Sequence, residues 1–166
     1  MSDNNAAPPS NRGRNLAVGG SAGAALIALI MLFEGTVFHP YQDPIGVWTD
    51  RTGHTGRDVV HDIHHIISPT DCRQRLMSDL QRTADGIAPC IRVPVSDTTR
   101  AALISFSFNV GVQRFCSSGI ARDLNAGRAR QACAGLSRWV FAGGRQLPGL
   151  VRRRAAERQR CERGLT

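Results

Sequence analysis

From Asn15 to Phe33 the chain runs nineteen residues without a charge, and then meets Glu34, the only glutamate before Glu157. An uncharged stretch of that length has two stable homes, a bilayer or a protein core, and each restricts the fold that can follow it. At ~1.5 Å per residue a helix of this length reaches roughly 28 Å, against about 30 Å of hydrocarbon in a bilayer. Yet nine of the nineteen residues are small (Ala17, Gly19, Gly20, Ser21, Ala22, Gly23, Ala24, Ala25 and Ala28), and the strongly apolar ones crowd into Leu26 to Phe33. The segment is therefore a weak and lopsided span. An ionisable residue set against the end of such a span is costly unless it has a function, and this singles out Glu34.

Residues 1–14 (MSDNNAAPPSNRGR) are polar and rich in Pro and Asn, a composition expected to stay disordered. Four readings compete for residues 15–33. A cleaved signal peptide needs a small-x-small site, and the continuation IALIMLFEGTVFHPYQDP has none. A permanent anchor is weakened by the Gly and Ala content. A helix buried in a soluble fold is the third reading, and an anchor weak enough to leave the bilayer is the fourth. For either anchor, Arg12 and Arg14 before the span place the N-terminus in the cytoplasm, with Glu34, Asp43 and Asp50 on the far side.

The net charge of +8 and a pI near 10.8 favour anionic partners: nucleic acid, anionic lipid or an acidic wall polymer. All 21 basic residues are arginine, which coding bias explains as well as any demand for guanidinium. Cysteines stand at 72, 90, 116, 133 and 161, with no CxxC spacing of a structural zinc site. In an exported protein they allow one or two disulfides with at least one thiol left over. The connectivity is not readable, and several of them can equally be small buried hydrophobes.

Beyond Glu34 the organisation is α+β. Residues 35–67, rich in Gly, Pro, Asp and Thr with β-prone pieces such as Gly46-Val47-Trp48-Thr49, read as turns and a small hairpin region. Ser68-Pro69-Thr70-Asp71 starts a helix with the apolar face Cys72, Leu76, Met77, Leu80 and Ala84, expected to stop at Gly86. Ser96 caps a second helix from Asp97 to about Val110, apolar nearly all round and so the central core helix. Shorter helices are expected near 118–126 and 128–140, then a break at Ala142-Gly143-Gly144, then an arginine-rich helix opened by Pro148. The arrangement predicted is a small hairpin lobe at 34–67, a mainly helical lobe after it, and an apolar helix in front.

The chemistry lies in the run Glu34-x8-Asp43-x5-Thr49. Glycoside hydrolysis needs an acid to protonate the leaving oxygen and a carboxylate to orient water or attack the sugar. Glu34, against Phe33 and Leu32, suits the acid, because an apolar setting disfavours its charged form. Asp43, on an Asp-Pro-Ile-Gly turn, should stay ionised, and the Thr49 hydroxyl can help it hold a water. The spacing alone is weak.

Its surroundings are not. FEGTVFHPYQDPIGVWTDRTGHTG resembles the catalytic segment of phage-type lysozymes, glycoside hydrolase family 24. The stretch Thr98 to Gly111 is similar to that family's core helix. Trp139-Val140-Phe141-Ala142-Gly143-Gly144 and Gly149-Leu150-Val151-Arg152-Arg153-Arg154 are similar to its C-terminal signature. The likeness spans about residues 34–163. It implies a lysozyme-like fold, with Glu34 as general acid, Asp43 and Thr49 as the water-positioning pair, Gly53 and His54 as a structural turn, and Asn109 lining the substrate cleft. Many members have glycine where this chain has Arg51, a difference in the loop after Thr49. The apolar segment abutting Glu34 further resembles the signal-anchor-release endolysins, which host secretion machinery exports and a membrane holds inactive until release.

The expected protein is thus a muramidase cutting the β-1,4 bond between N-acetylmuramic acid and N-acetylglucosamine. Its organisation is 1–14 disordered, 15–33 signal-anchor-release segment and 34–166 catalytic domain. Its partners are peptidoglycan, the host inner membrane and the secretion machinery, and it is expected to be monomeric, free of cofactors and metals, and indifferent to nucleic acid. The alternatives are a lytic transglycosylase, or a non-catalytic basic protein anchored in the membrane and bound to the wall. His61, His64 and His65 read as solvated rather than metal-binding. Arg152, Arg153 and Arg154 read either as a solvated helix face or as attractors of peptide-stem carboxylates or anionic lipid. Trp48, Trp139, Phe106 and Phe108 read as core.

Overall fold

The computed structural model describes residues 69–165 together with Leu26, Ile30, Tyr41, Gln42, Trp48 and Thr49, the last four and residues 69 and 72 by backbone alone. Strands β1 (Tyr41–Gln42) and β2 (Trp48–Thr49) pair antiparallel, with Tyr41 opposite Thr49 and Gln42 opposite Trp48. This is the hairpin expected in the first lobe. The rest of the described chain is mostly helical.

Helix α1 (Pro69–Ile87) begins on its proline, whose missing N–H costs nothing in the first turn. It buries Leu76, Leu80 and Ile87, with Met77 and Ala84 packed against the core. It does not stop at Gly86. A Cβ there would stand 3.0 Å from the Val112 side chain, so that glycine serves a close approach and the helix runs on to Ile87. A 3-10 turn, Ala88–Cys90, follows.

Helix α2 (Asp97–Val110) is the centre of the molecule. The Ser96 side chain caps it, accepting from the Thr99 N–H at 3.2 Å, and every residue from Ala101 to Ser107 is buried. Gly111, at φ 96°, ends it. Three short helices follow: α3 (Val112–Cys116), α4 (Gly119–Asn125) and α5 (Ala129–Gly135), the last continued by a 3-10 turn to Arg138. Only α3 is unforeseen; five residues are too few to show a helical period.

The break expected at Ala142-Gly143-Gly144 is a second hairpin, β3 (Phe141–Ala142) and β4 (Arg145–Gln146), turning on Gly143 at φ 56° and Gly144 at φ 74°. Two successive positive-φ residues are what a tight two-residue hairpin demands. Helix α6 (Pro148–Arg163) then runs back along α2, its most extensive packing partner.

Leu26 and Ile30, four positions apart, are both helical and 0% exposed, and they lie in the same core cluster as Leu76, Leu80 and Phe106. Among the described residues no helix is long and apolar enough to cross a membrane.

Two disulfides staple the helical lobe, Cys90–Cys116 and Cys133–Cys161, with Cα–Cα distances of 5.4 and 5.6 Å. The first joins the end of the α1 region to α3, the second joins α5 to α6. Asn125 reinforces the first: its Oδ1 accepts from the Arg92 N–H at 2.7 Å and its Nδ2 donates to the Cys90 carbonyl at 2.8 Å. Each staple closes a loop of 26 or 28 positions, for which chain entropy alone contributes about 3–4 kcal/mol. Peptide mapping without reduction should find these two linkages, and reduction should lower the urea midpoint. Any other pairing among these four cysteines contradicts the arrangement.

Candidate active site

Of the residues singled out in the sequence, Glu34, Asp43, Gly53 and His54 lie outside the described residues, as do His61, His64 and His65. Thr49 stands in β2 with Tyr41 as its partner across the hairpin, and its side chain lies outside the described set. Asn109 is fully described. It sits in the last turn of α2, exposed, and its Oδ1 accepts from Arg154 Nη2 at 2.5 Å.

That bond leads into a buried charge cluster. Arg154 is 0% exposed; its Cζ lies 4.8 Å from the centre of the Phe106 ring and its Nη1 lies 3.1 Å from Glu157 Oε2. Glu157, also 0% exposed, accepts from the Ser105 hydroxyl at 2.7 Å and from Arg153 Nε at 3.2 Å. Arg153 Nη2 donates in turn to the Ser105 carbonyl at 3.4 Å. The ring of Phe106 is met edge-on by Trp139 at 5.3 Å and by Phe115 at 6.5 Å, which fixes the face on which the guanidinium rests.

Neither expected role of the arginine run holds for two of its three members. Arg153 and Arg154 face the core, and only Arg152 is exposed. The reason is periodicity: positions 153 and 154 stand four and three residues before Glu157 on one helix, so all three share a face. A lone glutamate at that spacing from two arginines was the available signal.

Burial raises the Glu157 pKa above the ordinary carboxyl value, because its charged form is poorly solvated; Arg154, the Ser105 hydroxyl and Arg153 offset this only in part. Burial likewise pulls the Arg154 guanidinium down to about 10, against the opposing pull of Glu157. Among the described residues no three His, Cys, Asp or Glu side chains gather as a metal site. A depression of about 600 Å³ lies on α3, lined by Val112, Gln113, Arg114, Cys116 and Ser117.

The family model for phage lysozyme matches residues 31–157, well over half the chain. The chain belongs to the phage lysozyme family. Membership makes it a glycoside hydrolase of the lysozyme class. Among its relatives, the SAR-endolysin of Enterobacteria phage PA-2 is 38% identical over 162 residues, covering 93% of this chain and 96% of its own. Among solved structures, the muramidase domain of SpmX from Asticaccaulis excentricus superposes with a TM-score of 0.74 at 29% identity, over 82% of this chain and 94% of that one. A P22 lysozyme mutant gives 0.72 at 27% identity, over 86% and 97%. The fold is lysozyme-like, mostly helical with small two-stranded antiparallel sheets.

In this phage lysozyme the described cluster is a scaffold that joins α6 to α2. The end of α2 carries Asn109, and Arg154 and Glu157 hold that end against α6. Replacing Glu157 by Gln takes away the carboxylate that stands 3.1 Å from the buried Arg154 guanidinium and bonds Arg153 Nε. Urea unfolding of Glu157→Gln should show a loss of about 3–5 kcal/mol; a loss below roughly 1 kcal/mol would mean the cluster is not what ties α6 to α2.

Proposed function

We propose that Glu34 is the general acid of this lysozyme and that Asp43 and Thr49 position the attacking water. The chain is a phage endolysin that hydrolyses peptidoglycan and lyses the host. The bond cut in this reading is the β-1,4 link between N-acetylmuramic acid and N-acetylglucosamine. The observation that carries the assignment is the spacing Glu34-x8-Asp43-x5-Thr49 in a chain of this family, with Thr49 on a strand of the first-lobe hairpin. The residue set asks for no cofactor: a protonated carboxyl delivers the proton, and an ionised carboxylate with a hydroxyl orients the water. Gly53 and His54 form the turn after the hairpin, and Asn109 meets the glycan from the helical side.

In the same reading residues 1–14 are a polar leader, 15–33 a signal-anchor-release segment and 34–166 the catalytic domain. The secretion machinery exports the chain, with Arg12 and Arg14 left in the cytoplasm, and the weak span holds it at the periplasmic face of the inner membrane. Release then frees it into the periplasm as a monomer. The SAR-endolysin relatives support this order of events. So do Leu26 and Ile30, fully buried in the protein core: a side chain cannot line that core and face lipid at once. Withdrawal from the bilayer would thus complete the core and set Glu34, four residues past Ile30, beside it.

Glu34→Gln keeps the size of the side chain and removes the acid. Clearing on a murein zymogram should fall by roughly 100- to 10 000-fold, with unchanged thermal unfolding. Undiminished clearing would remove Glu34 from the mechanism. In digests by the unaltered enzyme, reducing-end sugars support hydrolysis, and 1,6-anhydro ends would point to a lytic transglycosylase instead.

A further inference from the structure

We infer that Arg154 is a positioning residue that fixes the polarity of Asn109, so that Asn109 presents N–H donors to an acetamido carbonyl of the bound glycan. This rests on the reading of the α2 end as a wall of the glycan cleft. An asparagine carboxamide can face either way, and its two ends differ in kind: Oδ1 only accepts, Nδ2 only donates. Arginine has donors and no acceptor. Its contact with Asn109 therefore consumes Oδ1, and the opposite orientation would set an NH2 group against a guanidinium.

Arg154 cannot turn away to release that choice. Its Cζ sits over the Phe106 ring, its Nη1 lies 3.1 Å from Glu157 Oε2, and Glu157 is held by Ser105 and Arg153. The guanidinium is held in the core at 0% exposure. On the other side Asn109 is exposed, so the Nδ2 end is the one a ligand meets. Peptidoglycan sugars carry 2-acetamido groups, whose carbonyl oxygens are strong acceptors, and an outward-facing donor matches them.

Two substitutions at the exposed position separate the possibilities. Asn109→Asp keeps an oxygen for Arg154 and replaces the donors by an acceptor; Asn109→Leu removes both. The inference expects KM on solubilised murein to rise roughly tenfold in both, about one hydrogen bond, with kcat changed far less. It also expects the advantage of N-acetylated over de-N-acetylated murein to shrink equally in both. Asn109→Asp should unfold no earlier than the unaltered protein, since it adds a partner charge for Arg154.

Arg154→Met, which keeps an apolar stem against Phe106 and removes every donor, tests the positioning role by a double-mutant cycle. It should raise KM when Asn109 is present and add nothing to KM when position 109 is Leu. Unaltered KM in Asn109→Asp alongside a raised KM in Asn109→Leu would show that the substrate uses an acceptor there, overturning the inference. Unaltered KM in both would remove Asn109 from the glycan site altogether. Neither result touches the Glu34 assignment, which fails only if Glu34→Gln still clears murein. Should Arg154→Met not fold, the two Asn109 variants decide the matter alone.

Discussion

A single buried carboxylate, Glu157, decides how the last helix meets the central one. Polar links cross between α2 and α6 in antiparallel order: Thr99 Oγ1 to the Cys161 carbonyl at 3.1 Å, Ser105 to Glu157 at 2.7 Å, Arg153 Nη2 to the Ser105 carbonyl at 3.4 Å, and Arg154 to Asn109. The apolar surface of α2 would pack against many helix faces, because it is buried all round and offers little directional preference. The polar links do discriminate, since a slip of α6 by one turn would strand a charge in the core. Register, and with it the place of Asn109 at the end of α2, follows from Glu157. The Cys133–Cys161 disulfide then ties the same helix to α5.

Much of this arrangement was legible in the sequence, and what was not has a physical cause. The start of α2 followed from the Ser96 cap, a local signal that the fold does not override, and its end at Val110 followed from the apolar run. The start of α1 followed from its proline in the same way. Gly86 misled because a glycine can mark a stop or a close approach, and only the position of Val112 tells which. Gly143-Gly144 announced a break but not the second hairpin, whose two-residue strands are too short and too exposed to alternate. The arginine run misled for a different reason: charge invites a surface reading, and only its register with Glu157 on the helix reverses it. Disulfide pairing needs the Cα distances and so could not be read in advance.

The site was legible in a complementary way. Catalytic spacing in the first lobe and the family likeness pointed to Glu34, Asp43 and Thr49. The described residues add what the motif did not contain: a polar cluster in which Arg154 bonds Asn109 and stands beside Glu157, itself held by Ser105. A motif records the residues that touch substrate. The groups of this cluster are spread over two helices 45 to 52 positions apart, and their spacing has no linear signature.

The account turns on one dual claim about the uncharged segment: the residues that would anchor the chain also complete its core. Leu26, 0% exposed, is the place to test it. The decisive measurement is the unfolding free energy of the released, full-length Leu26→Ala protein in urea. Removing a fully buried leucine leaves a cavity and should cost about 3–5 kcal/mol, together with a loss of murein-clearing activity. If that soluble protein is as stable and as active as the unaltered one, the segment is only a tether, and the link between release and an assembled site is wrong.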